Sequence, residues 1–347
     1  MNLTWQQYLR NHCVTAGDAA AVDLRDNSVE FEAAKSETIL AELSHFGLIR
    51  FAGKDAQSFL NGQLSCDVNR LEPLRAQYGS YSTPQGRMLA SFLLWRDLDG
   101  YCMQLPRSLR ASVQKRISQY ILRAKLNATD ASDKYVLMGV AGADARAILE
   151  PLFPEMPSIP LAMATAQGSS LMQLGVDRYQ IIALPAHAQR LRDAINRLAT
   201  PVAATVWDWF DIRAGVPFIT PATQEQVVPQ MANLDLIGGV SFGKGCYPGQ
   251  EIVARMHYLG RLKQRMYLAN IISNDAPQAG DKLYGADMGE QAGGIILGSA
   301  PSPDGGFDVL AVLRIESVKL GGVRWKSPGG PQLRFGELPY RLDDPKS

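Results

Sequence analysis

AGKDA, residues 52–56, returns as AGADA at residues 141–145. Each copy follows a strand-like apolar run, FGLIRF before the first and YVLMGV before the second, and in each a leucine stands four residues past the final alanine. The stretch after the first copy reads as a short helix. Asp55 is placed to cap it, Phe59 and Leu60 give it a buried side, and Gly62 can end it. A second echo lies further along. YCMQLP (101–106) precedes SLRASVQKRISQYIL, and YQIIALP (179–185) precedes AHAQRLRDAINRL, with apolar positions at three- and four-residue steps in both helical runs. Residues 45–200 therefore read as two related halves, each running strand, helix, further strands, Leu-Pro, helix. That order suits antiparallel α+β units of the split β-α-β type. Chance is the competing reading of so short a repeat; two features recurring in the same order favour duplication.

Outside the halves the text changes. Residues 1–38 are polar and charged and read as a peripheral segment. Residues 39–259 hold the two lobes and a lead-out. From RMYLANI (265–271) onward the helical period fades into KLYG, AGGIILGSA, FDVLAVLRI and LRFGELPYRL, separated by Gly and Pro. Residues 260–347 thus read as a small all-β unit, a barrel, with PSPDGG (301–306) as a hairpin loop.

The chain has 347 residues, 46% hydrophobic and 20% charged, with a net charge of +1. These are values of an ordinary globular protein, and they argue against a surface dedicated to nucleic acid. No apolar run reaches the length needed to span a bilayer. The four cysteines, Cys13, Cys66, Cys102 and Cys246, form no C-x-x-C pair, and no histidine stands at zinc-ligand spacing. A cytoplasmic, reduced protein without a metal site or a membrane partner is expected.

Three stretches carry polar chemistry. GKGCYPGQEIVAR (243–255) presents Cys246 beside Lys244, between glycines, just ahead of a helix that Pro248 can open. A positive helix end and a lysine both favour thiolate. Such a cysteine can be a nucleophile, a redox sensor or a ligand, or an incidental residue in a tight loop. VWDWFDIRAGVPFI (206–219) is a second stretch. If extended, Trp207 and Trp209 share a face; if helical, Trp207, Phe210 and Ala214 do, and either stripe is core or a stacking platform. In the third, YSTPQGRMLASFLLWR (81–96), a TPQG turn leads into a buried strand in which Ser91 alone could face a ligand. The four histidines are scattered and suggest no triad with Cys246.

KGCYPGQE (244–251) resembles the signature K-G-C-[FY]-x-G-Q-E of the YgfZ-type folate-binding family, relatives of the glycine-cleavage T-protein (aminomethyltransferase), and matches it at every fixed position. DIRAGVPFI, VPQMANLDLIGGVSF and IVAR agree as flanks, and the resemblance covers roughly residues 39–340. It implies an α+β, three-lobed aminomethyltransferase-like folate-binding fold with duplicated α/β units and a C-terminal β-barrel. It implies tetrahydrofolate, or another reduced folate, as cofactor, and a role in maintaining iron–sulfur proteins and hence tRNA methylthiolation. Cys246 would be the working thiol and Lys244 its partner. Trp207 and Phe46, the latter where the family has a second tryptophan, would contact folate together with Gly245, Tyr247, Gln250, Glu251 and Arg255. Gln250 and Glu251 would hold the loop through backbone donors. Partners would be iron–sulfur clients and assembly factors, without direct nucleic-acid contact. T-proteins carry a catalytic aspartate in a G-G-I-x-D-D strand; here Ala90 and Ser91 stand in its place, so T-protein chemistry is not expected. The alternatives are a one-carbon transferase acting on another substrate and an interaction scaffold that binds no small molecule.

Overall fold

The computed structural model describes residues 2–12, 28–97, 99–258, 260 and 262–342. The chain opens with α1 (Leu3–Asn11), α2 (Ser28–Ser36) and β1 (Ile39–Glu42). The first half follows as β2 (Phe46–Ala52), α3 (Ala56–Asn61), β3 (Ala76–Ser82), β4 (Met88–Asp97), β5 (Gly100–Pro106), α4 (Arg107–Ser118) and β6 (Asn127–Asp130). The second half repeats that order as β7 (Val136–Ala141), α5 (Ala145–Leu149), β8 (Met163–Ala166), β9 (Ser169–Gly175), β10 (Arg178–Ala183), α6 (Pro185–Ile195) and β11 (Thr200–Val202).

The sheets repeat as well. The first runs β3-β4-β5-β2-β6 and the second β8-β9-β10-β7-β1-β11. They correspond strand for strand, except that β1 is interposed, antiparallel to β7 and parallel to β11. The duplication read from two short echoes is thus carried by the whole topology. The repeated glycine explains the echo. Gly53 (φ +136°) and Gly142 (φ +131°) occupy a region open to glycine alone, and each passes tight against another backbone. A Cβ would lie 2.2 Å from the Lys125 carbonyl oxygen in the first case and 2.6 Å from that of Glu37 in the second. The aspartates behave differently from expectation. Asp55 and Asp144 stand at the N-cap positions of α3 and α5, but neither side chain makes a capping bond. Their ψ angles of 5° and 2° are not the extended backbone that aims a cap side chain at the first turn.

The N-terminal helix is not peripheral. Asn2 caps α1 through bonds from the Thr4 and Trp5 amides, and Trp5, Tyr8 and Leu9 enter the core of the second sheet beside Leu149, Phe153 and Ile195. The three- and four-residue spacing of those side chains makes one apolar stripe on a short helix. Trp5 Nε1 donates to Glu42 (3.2 Å), and the Tyr8 hydroxyl donates to Asp193. Between the sheets, Gln104 on β5 and Gln180 on β10 exchange amide hydrogen bonds of 3.1 and 2.6 Å in full burial.

After β11 come α7 (Ala204–Arg213), α8 (Gln250–Tyr258) and β12 (Gln264–Ile271). The rest is β13 (Lys282–Tyr284), β14 (Gly294–Pro301), β15 (Phe307–Arg314), α9 (Ile315–Leu320), β16 (Arg324–Trp325) and β17 (Leu333–Phe335). These strands form a sheet of order β16-β13-β14-β15-β12-β17. Its edges meet through an Arg324–Gln332 bridge and bonds from the Trp325 amide to Pro331 and the Leu333 amide to Val323, both 2.9 Å. The result is a nearly closed barrel, as the sequence implied, filled by Ile271, Leu283, Val309 and Trp325. By contact density the chain forms two units. One holds Met1–Lys54, Leu71–Ala76 and Leu94–Trp207; the other holds Asp55–Arg70, Gln77–Leu93 and Asp208–Ser347.

Candidate functional site

The KGCYPGQE loop lies in the second unit, and two devices hold it. The first is Lys244. Its ammonium donates to three carbonyl oxygens, those of Asn61 (2.5 Å), Leu64 (2.6 Å) and Cys66 (2.9 Å), in the segment that leaves α3. The first is the last carbonyl of α3, which a helix end leaves without an intrahelical partner; the other two belong to the segment after it. The Ser241 amide adds a bond to the Ser65 carbonyl (2.9 Å), and the Ser65 hydroxyl donates to Gly239 (2.6 Å). The approach to the loop is therefore stitched to residues 61–66.

The second device is Gly249. Its φ of +83° needs glycine, and a Cβ there would lie 2.6 Å from both the Thr83 carbonyl oxygen and the Gly86 Cα. Gly86, in the TPQG turn, is itself at φ +75°. A left-handed residue cannot continue into a helix, so α8 starts at Gln250 and not at Pro248 as its sequence suggests. Cys246 consequently sits four residues before the helix, beyond the first turn in which the helix dipole acts. Gly243 and Gly245 have no atom near the place a Cβ would take; their role is exposure and not a close contact.

Cys246 is exposed, whereas Cys66 and Cys102 are buried; Cys13 lies outside the described residues. Burial pushes the Cys66 thiol up to about 12 despite the nearby Lys244. Burial also lowers Lys244 from its ordinary value, with Cys66 and Asp67 opposing that shift. Tyr247 is buried under the Lys244 ammonium, 5.1 Å from its ring centroid. Its hydroxyl has no hydrogen-bond partner among the described residues, and burial moves it to about 12. Gln250 is half-buried, while Glu251 and Arg255 are exposed on α8. No side-chain bond from Gln250 or Glu251 reaches the loop among the described residues, so Lys244 and Gly249 take the holding role expected of them.

The other expected residues lie in the first unit. Trp207 is on α7, so the helical reading of VWDWF holds. Its ring is 1% exposed, with Arg178 4.6 Å from its centroid. It also lies over Gly139, where a Cβ would fall 2.3 Å from ring carbons. Phe46 opens β2, 3% exposed, with its ring 4.2 Å from that of His45. The pocket beside it, bordered by Trp5, Glu42, Ser44 and Arg107, has about 10 Å³ of space, on the order of one water molecule. Neither ring offers an open face to a pterin in this arrangement. Ser91 does not face a ligand. Its hydroxyl donates to the Pro217 carbonyl (2.7 Å) and accepts from the Ile219 amide (2.9 Å), so it ties β4 to residues 217–219. Among the described residues, no three His, Cys, Asp or Glu side chains converge as a metal site.

A family model described as the GCVT N-terminal domain matches residues 20–179. A curated relative from Sodalis glossinidius, named tRNA-modifying protein YgfZ, is 33% identical over 311 residues, covering 88% of this chain and 94% of the relative. The chain belongs to the YgfZ family. A Klebsiella pneumoniae YgfZ of the same name is 30% identical over 309 residues, at 88% and 94% coverage. The crystal structure of the glycine cleavage system aminomethyltransferase T from Bartonella henselae superposes with a TM-score of 0.79 at 16% identity, covering 98% of this chain and 97% of that one. The chain thus shares the aminomethyltransferase fold. Among the described residues no helix is long and apolar enough to cross a membrane.

Proposed function

We propose that the protein is a tetrahydrofolate-binding factor that maintains iron–sulfur proteins and thereby supports tRNA modification, with Cys246 as its working thiol. One observation carries the thiol part: Cys246 is exposed on a loop fixed at both ends, by the three Lys244 bonds and by the Gly249–Gly86 contact. Fixing a loop on both sides while leaving its cysteine in solvent suits a thiol that meets another macromolecule. Among the described residues no ligand set converges with the Cys246 sulfur, so a transient contact with a client fits it better than stable storage of a cluster. Lys244 acts in this reading as a positioning residue.

The folate part is supported by the aminomethyltransferase fold, and the tRNA part by the name of the relatives, which speaks of tRNA modification. With Trp207 and Phe46 buried, folate enters as a bound ligand to which no chemical step is assigned. Trp207 serves as a fluorescent reporter in any case. The test has two arms. Tetrahydrofolate is titrated under anaerobic conditions with fluorescence and calorimetry, on the wild type and on Trp207→Phe. Separately, methylthiolated tRNA nucleosides are measured in cells carrying only Cys246→Ala. Saturable binding and loss of the modified nucleosides are the expected results. Calorimetric silence removes folate from the reading, and normal nucleoside levels in Cys246→Ala cells remove the thiol.

A further inference from the structure

The net charge of +1 conceals an uneven distribution. Between Asp99 and Asp130 the chain carries six basic residues and no carboxylate. Arg107 and Arg110 are committed to the α4 neighbourhood. Arg110 pairs with Asp130 at 3.0 Å, and Arg107 donates through Nε to the Ser44 carbonyl at 2.6 Å and lies 3.9 Å from Asp133. The other four, Lys115, Arg116, Arg123 and Lys125, lie on the last turn of α4 and on the loop that follows it. Lys115, Arg123 and Lys125 are exposed and Arg116 is half-buried. Among the described residues Lys115, Arg116 and Arg123 have no carboxylate within 4 Å.

Helix chemistry accounts for part of this. Lys115 and Arg116 stand in the last turn of α4, where cations meet the negative helix end. Arg123 and Lys125 are past the reach of that effect. Two large hydrophobic side chains are exposed in the same segment: Tyr120 is 50% exposed and Leu122 is 85% exposed. The loop bearing them is nevertheless ordered. Tyr120 and Ile121 amides bond back to Ile117 (3.0 Å) and Ser118 (3.2 Å), and Leu126 is buried at its far end. The Gly53 backbone packs directly beneath the Lys125 carbonyl. One ordered segment therefore displays both cations and an exposed phenol ring.

We propose that the α4 C-terminus and residues 119–125 form an RNA contact surface, in which the cations take the phosphate backbone and Tyr120 stacks on an unpaired base. This rests on the reading that the protein acts in tRNA modification, and it turns the contact with tRNA from indirect to direct. Charge complementarity selects a polyanion. The half-exposed aromatic in the same segment as the cations selects one with flat, unstacked bases over an acidic protein, because single-stranded RNA is held by that combination of cations and ring faces.

The test is fluorescence anisotropy of a labelled tRNA transcript with the full chain at 50 to 200 mM salt. Variants are Lys115→Gln/Arg123→Gln and Tyr120→Ala, all surface changes whose folding is checked by circular dichroism. Wild type is expected to bind with a salt slope of several counterions. The double variant should bind about tenfold more weakly with the slope reduced by about two, one for each phosphate that no longer meets a cation. Tyr120→Ala should weaken binding at least fivefold with the slope unchanged. Tetrahydrofolate binding by these variants stays as in wild type, and Cys246→Ala retains tRNA binding, which separates this surface from the thiol and folate readings. Absence of tRNA binding at 50 mM salt, binding that the variants do not change, or polyglutamate binding as tightly as tRNA overturns the proposal.

Discussion

Gly249 approaches Gly86 so closely that a Cβ on Gly249 would stand 2.6 Å from the Gly86 Cα, with both residues at positive φ. Gly249→Ala combines a left-handed alanine, costing about 1–2 kcal/mol, with a backbone clash that cannot relax by side-chain rotation. We expect at least about 2 kcal/mol of destabilisation in urea denaturation. Gly243→Ala and Gly245→Ala, in open space, should stay within about 0.5 kcal/mol of wild type. Equal losses at all three glycines would contradict the contact.

Lys244→Met removes three charge-assisted bonds to the residue 61–66 segment. Amide exchange should rise in residues 61–66 and 243–247. Exchange left unchanged in both segments would show that these bonds do not hold the loop.

Gln104→Leu strands the Gln180 amide in the core and should cost about 1–3 kcal/mol, as a buried polar group without a partner does. Adding Gln180→Leu should recover part of the loss. A double-mutant cycle reads the coupling directly, and strictly additive effects would show that the pair is not one unit.

Alkaline pH should weaken the fold. The Cys66 and Cys102 thiols rise from 9.0 to about 12 through burial. The unfolded chain releases these protons near pH 9 while the folded chain keeps them, so the folded state binds more protons between pH 9 and 12. Stability is whole below pH 9 and falls above it, by up to about 1.4 kcal/mol per pH unit for each thiol. Urea midpoints at pH 8, 9 and 10 measure the slope, which Cys66→Ala should reduce; a slope untouched by Cys66→Ala and Cys102→Ala would assign it elsewhere.

The duplication is legible because its strongest constraint is local. Gly53 and Gly142 each must adopt one backbone conformation, and that requirement shows as a residue type. The barrel is legible from its turns. What the sequence hides is non-local. Nothing near Lys244 announces that its ammonium turns to carbonyls some 180 positions earlier, and nothing near Gly86 announces Gly249. The first helix reads as peripheral because its polar residues outnumber the three that count, Trp5, Tyr8 and Leu9. Ser91 misleads for a related reason: a lone hydroxyl in a buried strand looks available until Pro217 and Ile219 are brought to it.

Strand β1 precedes the first half in sequence but is built into the sheet of the second. The two copies are therefore interlocked and do not behave as beads on a string. On a ribosome, Ile39–Glu42 emerges early and has no strand to pair with until Val136–Ala141 follows, nearly a hundred residues later. Such long-range pairing slows folding and leaves an open strand edge in the meantime. A fragment beginning at Phe46 would contain every element of both copies, yet β7 and β11 would have lost the strand between them. Any gene dissection of this fold into autonomous halves has to carry residues 39–42 along with the later half.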